Sequence, residues 1–566
     1  MKTDDFFMIE YQRWLPATLL LTLVTLAIPS VNADEAASEE ASEHILQAET
    51  ALEARDYGRA VVEYRKAAEA DDSAEIARTA TRLAYAYNLN AEALRAAKRW
   101  VKLEPDNDDA RLYLAQIYFR LGDLGNARRQ YSKTIASSEE PGGELLSLVR
   151  YLSEEGQPEN ADKLMRALAK PYKDSAWAHY AVAALALEAG DTEHAMERAL
   201  RSAELAPESV RPKLLYARAL MIDGEPEKAI DYTARIIGDD PDPDPDARME
   251  LAIIYMMNGR DEDALSQVNQ VLLEQAGRSD ALRLMAIINF RGGNLDVAED
   301  DFEDLLATGQ YRMDALYYLA RIADFRQQYD RAIDLYREVD YGDNAISAQR
   351  RASALLAFEK DDVESAMTAL DDFAEASPMH AIDTLLAKAQ LLGTLEQYED
   401  SLDYFDQVVA YRPDDEGLAL SRAELLLRMG RLDDALDAYS TAARRWPKSA
   451  LSLNAYGYTL ADRTDRYREA EKLIRKAIKL DPESPAIIDS LGWVLFRLGR
   501  HDEALVELRR AYEAFDDHEV AAHLVEVLVA LQRPDDALAV LAEAEEKRPD
   551  SKLLADVRAR LFPATP

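Results

Sequence analysis

Small side chains recur along this chain at an almost constant interval of about 34 residues. A period of this length is typical of a repeat that consists of two antiparallel helices and stacks on its neighbours as a solenoid. The pattern therefore predicts an all-α chain of fifteen helical hairpins. The fifteen positions are Ala60, Ala93, Ala127, Ala161, Ala195, Ala229, Ala264, Ala298, Ala332, Ala366, Ser401, Ala435, Ala470, Ala504 and Ala537.

One repeat, residues 417–449, shows the packing reason for the pattern. Ala423 and Ala435 are expected where its two helices cross, because only a small side chain lets the backbones approach closely. Tyr439 and Ala442 follow Ala435 on the same helical face, so they are expected to pack against the next repeat. Pro447 cannot continue a helix and ends the unit.

The same spacing recurs through the chain and resembles the tetratricopeptide-repeat (TPR) family over residues 41–550. The resemblance implies a right-handed TPR α-solenoid of about 15 repeats, closed by a C-terminal capping helix. Prolines stand twelve positions after seven of the small residues, at Pro105, Pro207, Pro241, Pro413, Pro447, Pro482 and Pro549.

Two interruptions divide the predicted array. One is Pro141–Gly143, and the other is the acidic Asp-Pro run of residues 239–246. Both are expected to separate groups of repeats, because proline and glycine disturb regular helices. The expected segments are repeats 1–3 in residues 44–140, repeats 4–6 in 141–240, repeats 7–15 in 241–550, and the capping helix with its tail in 551–566.

The first 33 residues are predicted to be a cleaved signal peptide. Residues 15–28 are an apolar run too short for a comfortable membrane span, and Val31-Asn32-Ala33 supplies small residues for cleavage. Translation from Met1 and from Met8 are both compatible with this interpretation. Residues 34–43 are expected to be an acidic, disordered leader. We therefore expect a periplasmic protein without a membrane span after processing.

The formal net charge of −39 and the absence of cysteine narrow the range of partners. Nucleic acids and anionic membrane surfaces attract basic proteins, so neither is expected to bind. Without cysteine there is no disulfide, no thiolate metal site and no lipid anchor on cysteine. Solubility and attraction of a basic partner remain two explanations of the acidic charge.

We expect neither catalysis, nor a cofactor, nor a bound metal. His518 and His523 stand five residues apart, whereas a shared metal on one helical face needs a spacing of four. The chain also lacks a phosphate-binding glycine loop and a serine nucleophile in a glycine elbow.

The resemblance places candidate ligand-binding side chains on the first helix of each repeat, which lines the concave groove in TPR proteins. Guanidinium groups there suit the carboxylates of a peptide. The alternative is that these arginines only balance acidic neighbours within the array. The candidates on this row are Arg78, Arg82, Arg218, Arg283, Arg291, Tyr317, Arg321 and Arg351.

A second candidate surface lies in repeats 13 and 14. Amide and carboxylate groups can pair with the backbone of a ligand, and aromatic rings supply contact area at little entropic cost. The alternative is that Trp493 and Phe496 pack only against the next repeat. The members are Asn454, Tyr458, Asp489, Trp493, Phe496 and Arg497.

Residues 451–530 resemble more specifically the long envelope TPR proteins of Gram-negative bacteria. Their type is the lipoprotein adaptor that joins a periplasmic carboxy-terminal processing protease to peptidoglycan hydrolases. The resemblance implies a non-catalytic scaffold that holds a protease and its substrates together. An assembly factor for an envelope polysaccharide or secretion machine is one alternative. A holder of unfolded exported chains is another, suggested by Met256, Met257, Phe290 and Phe358.

Overall fold

The computed structural model describes residues 38–54, 56–239 and 243–563. These residues form thirty-one α-helices and a short 3₁₀ turn at Pro378–His380, with no β-strand among them. The predicted signal peptide, residues 34–37 of the leader and residues 240–242 of the Asp-Pro run lie outside the described residues. No helix within the described ranges combines the length and the apolar character needed to cross a bilayer.

The helices alternate as first and second members of fifteen pairs, as the period predicts. The first helices are α1 (Glu39–Glu53), α3 (Ala74–Ala86), α5 (Asp108–Arg120), α7 (Pro141–Glu154), α9 (Ala176–Glu188), α11 (Arg211–Ile222), α13 (Pro245–Met257), α15 (Ser279–Arg291), α17 (Arg312–Phe325), α19 (Ala345–Phe358), α21 (Ala381–Thr394), α23 (Glu416–Arg428), α25 (Ala450–Arg463), α27 (Pro485–Arg497) and α29 (His518–Ala530).

Every recurring small residue is the fourth residue of a second helix, and each is 0% exposed to solvent. The burial expected of residues at a helix crossing is therefore found at all fifteen positions. The second helices are α2 (Tyr57–Ala70), α4 (Asn90–Leu103), α6 (Leu124–Ser137), α8 (Pro158–Ala169), α10 (Thr192–Leu205), α12 (Pro226–Asp239), α14 (Asp261–Glu274), α16 (Leu295–Ala307), α18 (Tyr329–Arg337), α20 (Val363–Ala376), α22 (Tyr398–Tyr411), α24 (Leu432–Arg445), α26 (Tyr467–Leu480), α28 (His501–Ala514) and α30 (Pro534–Lys547).

The turn inside a repeat is closed by backbone hydrogen bonds around a left-handed residue. In repeat 12, Gly430 has a φ of 72°, and its N–H donates to the carbonyl of Leu427 over 2.9 Å. The N–H of Arg431 reaches the carbonyl of Leu426 over 2.9 Å. Glycine adopts this conformation without steric cost, which explains why it stands between the two helices.

Both ends of the described array are helical. The capping helix predicted after repeat 15 is α31 (Lys552–Leu561), which buries Leu554 and Val557. At the other end, α1 begins at Glu39, and the hydroxyl of Ser38 accepts a hydrogen bond from the N–H of Ala41. The prediction of a disordered leader over residues 34–43 is therefore wrong for residues 39–43, which form the first turn of a capped helix with two glutamates near its positive end.

The chain divides into two compact units, one ending at Thr384 and the other beginning at Leu385, inside α21. Neither predicted interruption is this boundary. At Pro141–Gly143 the helix α7 instead starts with proline in its first turn, and it packs against α9. A methyl group at Gly142 would collide with the hydroxyl of Ser175. The absence of a side chain at Gly142 therefore lets α7 lie this close to Ser175.

Candidate functional site

In both units, several first helices of successive repeats touch one another. In the second unit, α25 contacts α27, and α27 contacts α29. Residues about 34 positions apart are therefore neighbours on what we call the first-helix face. All the candidate residues of the sequence analysis lie on first helices. In the second unit this face carries the carboxy-terminal patch, defined as Asn454, Tyr458, Asp489, Trp493, Arg497, Glu519 and His523.

A buried ion pair lies at the centre of the carboxy-terminal patch. Nδ1 of His523 is 3.0 Å and 3.1 Å from the two carboxylate oxygens of Asp489, and both residues are only 6% exposed. Burial lowers the pKa of His523, but the charge of Asp489 and its hydrogen bond outweigh burial, so the net pKa is raised. The pair therefore favours the protonated imidazole and fixes its orientation.

Two polar atoms of the patch are buried without a hydrogen-bond partner among the described residues. They are the indole Nε1 of Trp493 and the side-chain oxygen Oδ1 of Asn454. A buried polar group without a partner costs about 1–3 kcal/mol. Both atoms are enclosed, so a ligand whose carbonyl and N–H groups displaced the covering side chains would recover that cost.

The remaining members of the patch are held by their neighbours. Tyr458 donates its hydroxyl hydrogen to Glu519, and burial raises the pKa of Tyr458. Arg497 donates to the hydroxyl of Tyr467 over 2.6 Å, and its guanidinium carbon is 5.7 Å from the centre of the Trp493 ring. These contacts fix the side chains before any ligand arrives.

Sequence reasoning missed two members of the patch, His523 and Glu519. In the sequence, His523 stands out only through its spacing from His518, which does not suit a shared metal. The signal that identifies it is its spacing of 34 residues from Asp489, one full repeat along the same face. Phe496, which sequence reasoning did include, lies 5.3 Å from Trp493 between ring centres.

In the first unit, most of the arginine row already has acidic or aromatic partners. Arg218 binds the fully buried Glu250 through two nitrogens, with Nε 3.0 Å from Oε1. The other contacts are Arg283 Nε to Asp314 Oδ2 at 2.6 Å, Arg351 Nε and Nη2 to Asp324 at 2.6 Å and 2.8 Å, Arg78 to Glu75, and Arg82 over Tyr113 at 6.0 Å. The alternative explanation, that the arginines balance acidic neighbours within the array, therefore applies to four of them: Arg218, Arg283, Arg351 and Arg78.

Arg321 differs from the four paired arginines because aromatic rings, rather than a carboxylate, surround it. Its guanidinium carbon lies 4.7 Å from the centre of the Phe290 ring and 5.7 Å from that of Tyr317. Arg291 on α15 is exposed. Within the described residues, neither Arg321 nor Arg291 forms an ion pair, so both charges are open to an acidic ligand.

Two further outcomes concern residues of the first unit. Met256, which is expected in the groove, is 0% exposed and belongs to the core instead. Tyr85 and Arg120, which sequence reasoning missed, face each other on α3 and α5, with the guanidinium carbon 3.8 Å from the ring centre. Glu155 accepts from Nε of Arg120 at 2.8 Å, so this charge is also balanced internally.

Comparison with known proteins gives two curated relatives of note. A TPR repeat-containing protein, PA4667, from Pseudomonas aeruginosa is 37% identical over 215 residues, which are 38% of this chain and 36% of the relative. The cytochrome c-type biogenesis protein CycH of Rhizobium meliloti is 33% identical over 94 residues, 16% of this chain and 25% of the relative. The matches span about a third or less of either relative.

Solved structures resemble the chain at low superposition scores. Yeast Tom70 covers 92% of this chain and 95% of its own, with 14% identity and a TM-score of 0.31. PilW, described as a type IV pilus biogenesis factor, covers 38% of this chain and 99% of its own, with 15% identity and a TM-score of 0.31.

Family comparison agrees with the fifteen helix pairs described above. Two family models, each described as a tetratricopeptide repeat, match residues 220–288 and 495–561, and residues 79–141, 284–348, 386–450 and 457–519. Together they cover more than half of the chain. The chain therefore belongs to the tetratricopeptide-repeat family.

Proposed function

We propose that this chain is an exported, non-catalytic scaffold that binds protein partners on its first-helix face, with the carboxy-terminal patch as a principal contact. One observation carries the proposal: Trp493 Nε1 and Asn454 Oδ1 are buried without a hydrogen-bond partner among the described residues. Stacked repeats commonly provide extended binding surfaces of this kind.

The patch favours an extended peptide segment as its ligand. Trp493 offers a donor, which suits a backbone carbonyl, and Asn454 offers an acceptor, which suits a backbone N–H. An extended peptide presents both groups in alternation. The aromatic rings of Trp493 and Tyr458 add contact area at little entropic cost.

The finer role that we propose is that of an adaptor between a processing protease and its cell-wall hydrolase substrates in the periplasm. Holding two partners on one array raises their effective concentration for each other without any chemistry by the scaffold itself. The export motif at residues 31–33 and the envelope-type pattern of residues 451–530 support this role.

A role in assembling an envelope machine is the second candidate. The likeness to CycH, which is named for cytochrome c-type biogenesis, favours it over the holder of unfolded chains. The two candidates differ in the partners they require, namely a protease with hydrolases, or components of an assembly pathway.

Affinity capture from envelope extract tests the proposal. The full-length chain should retain its specific partners. Trp493→Phe removes the N–H but keeps an aromatic ring, and it should reduce the captured amount of each partner at least about fivefold. Trp446→Phe, in the same unit but outside the patch, is the matched control and should behave like the parent. Equal capture by all three proteins would refute the patch as a binding site.

Mass spectrometry of the captured proteins then decides between the two roles. A carboxy-terminal processing protease together with peptidoglycan hydrolases supports the adaptor. Assembly-pathway components without the protease would overturn the adaptor and favour the second candidate.

A further inference from the structure

A cleft with basic walls opens in the first unit between α8, α9 and α10. Its volume is about 890 Å³, and it lies beside the turn that joins α8 to α9. Arg166, Lys170, Lys173, Arg198 and Arg201 line it, against the acidic Asp174, Glu197 and Glu204. Among the charged side chains that line the cleft, cations outnumber carboxylates, although the chain has a net charge of −39.

Two of these cations are already committed to carboxylates. Arg166 donates to Asp162 over 2.6 Å and to Asp191 over 2.7 Å, so both sides of its guanidinium are occupied. Arg201 donates to Glu204 over 2.7 Å. These paired side chains line the cleft but are not expected to bind a ligand.

The other three cations are not fully committed. Lys170 and Lys173 are exposed and form no ion pair within the described ranges. Arg198 approaches Glu197 only at 3.5 Å through Nη2. Its Nε is buried and finds no hydrogen-bond acceptor in the described part of the chain. The cleft therefore holds donors that lack an acceptor.

His194 also lines the cleft, close to two of these cations. Burial lowers the pKa of His194, and the charges of Arg166 and Arg198 lower it further, against the opposing effect of Glu197 and Asp191. The second histidine, His179, donates from Nε2 to the carbonyl of Lys173 over 2.9 Å, which ties the turn to α9.

We propose that this cleft binds a small ligand that carries an oxyanion, a carboxylate or a phosphate, on an apolar body. Arg198, Lys170 and Lys173 bind the oxyanion, and Val182 and Leu200 contact the apolar part. The volume lies within the range of small-molecule sites. The cleft is built largely from second helices and the turn between repeats, so it is distinct from the first-helix face and independent of the proposed protein-binding role.

Isothermal titration of the full-length chain at low ionic strength tests the site with two probes. Inorganic pyrophosphate represents phosphate ligands, and suberate represents carboxylates on an apolar chain. At least one probe should bind, and the probe that binds more tightly identifies the oxyanion. Lys170→Gln with Arg198→Gln should weaken that binding about tenfold or more, because charge-assisted contacts are lost.

Matched charge removal elsewhere supplies the control. Arg129→Gln with Lys133→Gln removes two exposed cations from α6, outside the cleft, and should leave the affinity unchanged. A second double variant, Lys170→Gln with Lys173→Gln, changes only exposed side chains and should also weaken binding. It replaces the first variant if the loss of Arg198 disturbs folding. Binding of neither probe, or equal weakening in the cleft and control variants, would overturn the proposal.

Discussion

The imidazole of His523 stacks on the indole of Trp493, with ring centres 4.1 Å apart and planes inclined by 19°. The same imidazole pairs with Asp489, so one side chain connects the aromatic and acidic members of the carboxy-terminal patch. Since the three residues come from α27 and α29, any change in this contact alters the packing of two successive repeats.

Asp489→Asn should destabilise the second unit, and more strongly in acid. Because the folded-state pKa of His523 is raised, its contribution is fully present below the unfolded pKa of about 6.5 and is lost as pH rises through the folded value. Breaking a buried pair typically costs about 3–5 kcal/mol. Hydrogen exchange of α27 and α29, compared with the parent, should show a larger loss at about pH 5.5 than at about pH 9.

Glu513→Gln is the control for this pH dependence, because Glu513 is exposed on α28. It should change exchange little at either pH. If Asp489→Asn loses the same exchange protection at both pH values, or loses more at the alkaline pH, the result would contradict the raised pKa of His523.

Gly492→Ala should destabilise the chain although alanine is the better helix former. An added methyl carbon would lie 2.5 Å from Cγ and 2.9 Å from Cδ2 of Leu508, too close for normal packing. Overpacking costs about 1–3 kcal/mol, which exceeds the helix preference of about 1 kcal/mol. Gly125→Ala is the control, since its nearest atom would be 3.8 Å away. Thermal unfolding of both variants measures the difference, and a melting temperature at or above that of the parent for Gly492→Ala would count against the close contact of α27 with α28.

Ala298→Leu should loosen the array locally. Ala298 is 0% exposed at a helix crossing, and the larger side chain is expected to cost about 1–3 kcal/mol. Because each repeat is coupled to its nearest neighbours, faster hydrogen exchange should centre on α13 to α18. Val297→Leu, at a position 51% exposed, should have little effect. A uniform increase over all repeats would argue against nearest-neighbour coupling.

Arg321→Ala should weaken binding of an acidic partner about tenfold or more, while helicity stays the same. Added salt should reduce the difference from the parent, because salt screens charges that are partly exposed. The control is Arg337→Ala, on the second helix of the same repeat, measured by titration with a partner recovered by capture. If Arg337→Ala weakens binding as much as Arg321→Ala does, general electrostatic attraction explains the result instead of the first-helix face.

Export can be checked directly on the protein made in its own cells. Cleavage after Ala33 should give a mature chain that begins at Asp34 in N-terminal sequencing. A soluble cytosolic form that retains Met1 or Met8 would refute the signal peptide.

The amino-acid sequence by itself determined the helical repeats and their register. A small residue is required wherever two helices of a repeat cross, so a requirement of local packing appears in the sequence as a period. The capping helix was predicted because the last repeat would otherwise leave an apolar face open to water, and its start at Lys552 lies within one residue of the prediction. Of the seven prolines that stand twelve positions after a small residue, six follow the end of a second helix by two residues. The seventh, Pro241, lies outside the described residues.

Only the tertiary structure decided which polar side chains are paired and which are open. Arg218 and Arg321 both occupy first helices, yet Arg218 meets the buried Glu250 from the next repeat, whereas Arg321 meets the ring of Phe290. Pairings of this kind depend on rotamers and on contacts between repeats, and many acidic residues in the sequence could serve as partners. The basic cleft at Arg198 could likewise not be predicted from the sequence. Its lining comes from two repeats and one turn, which only the packing of the helices brings together.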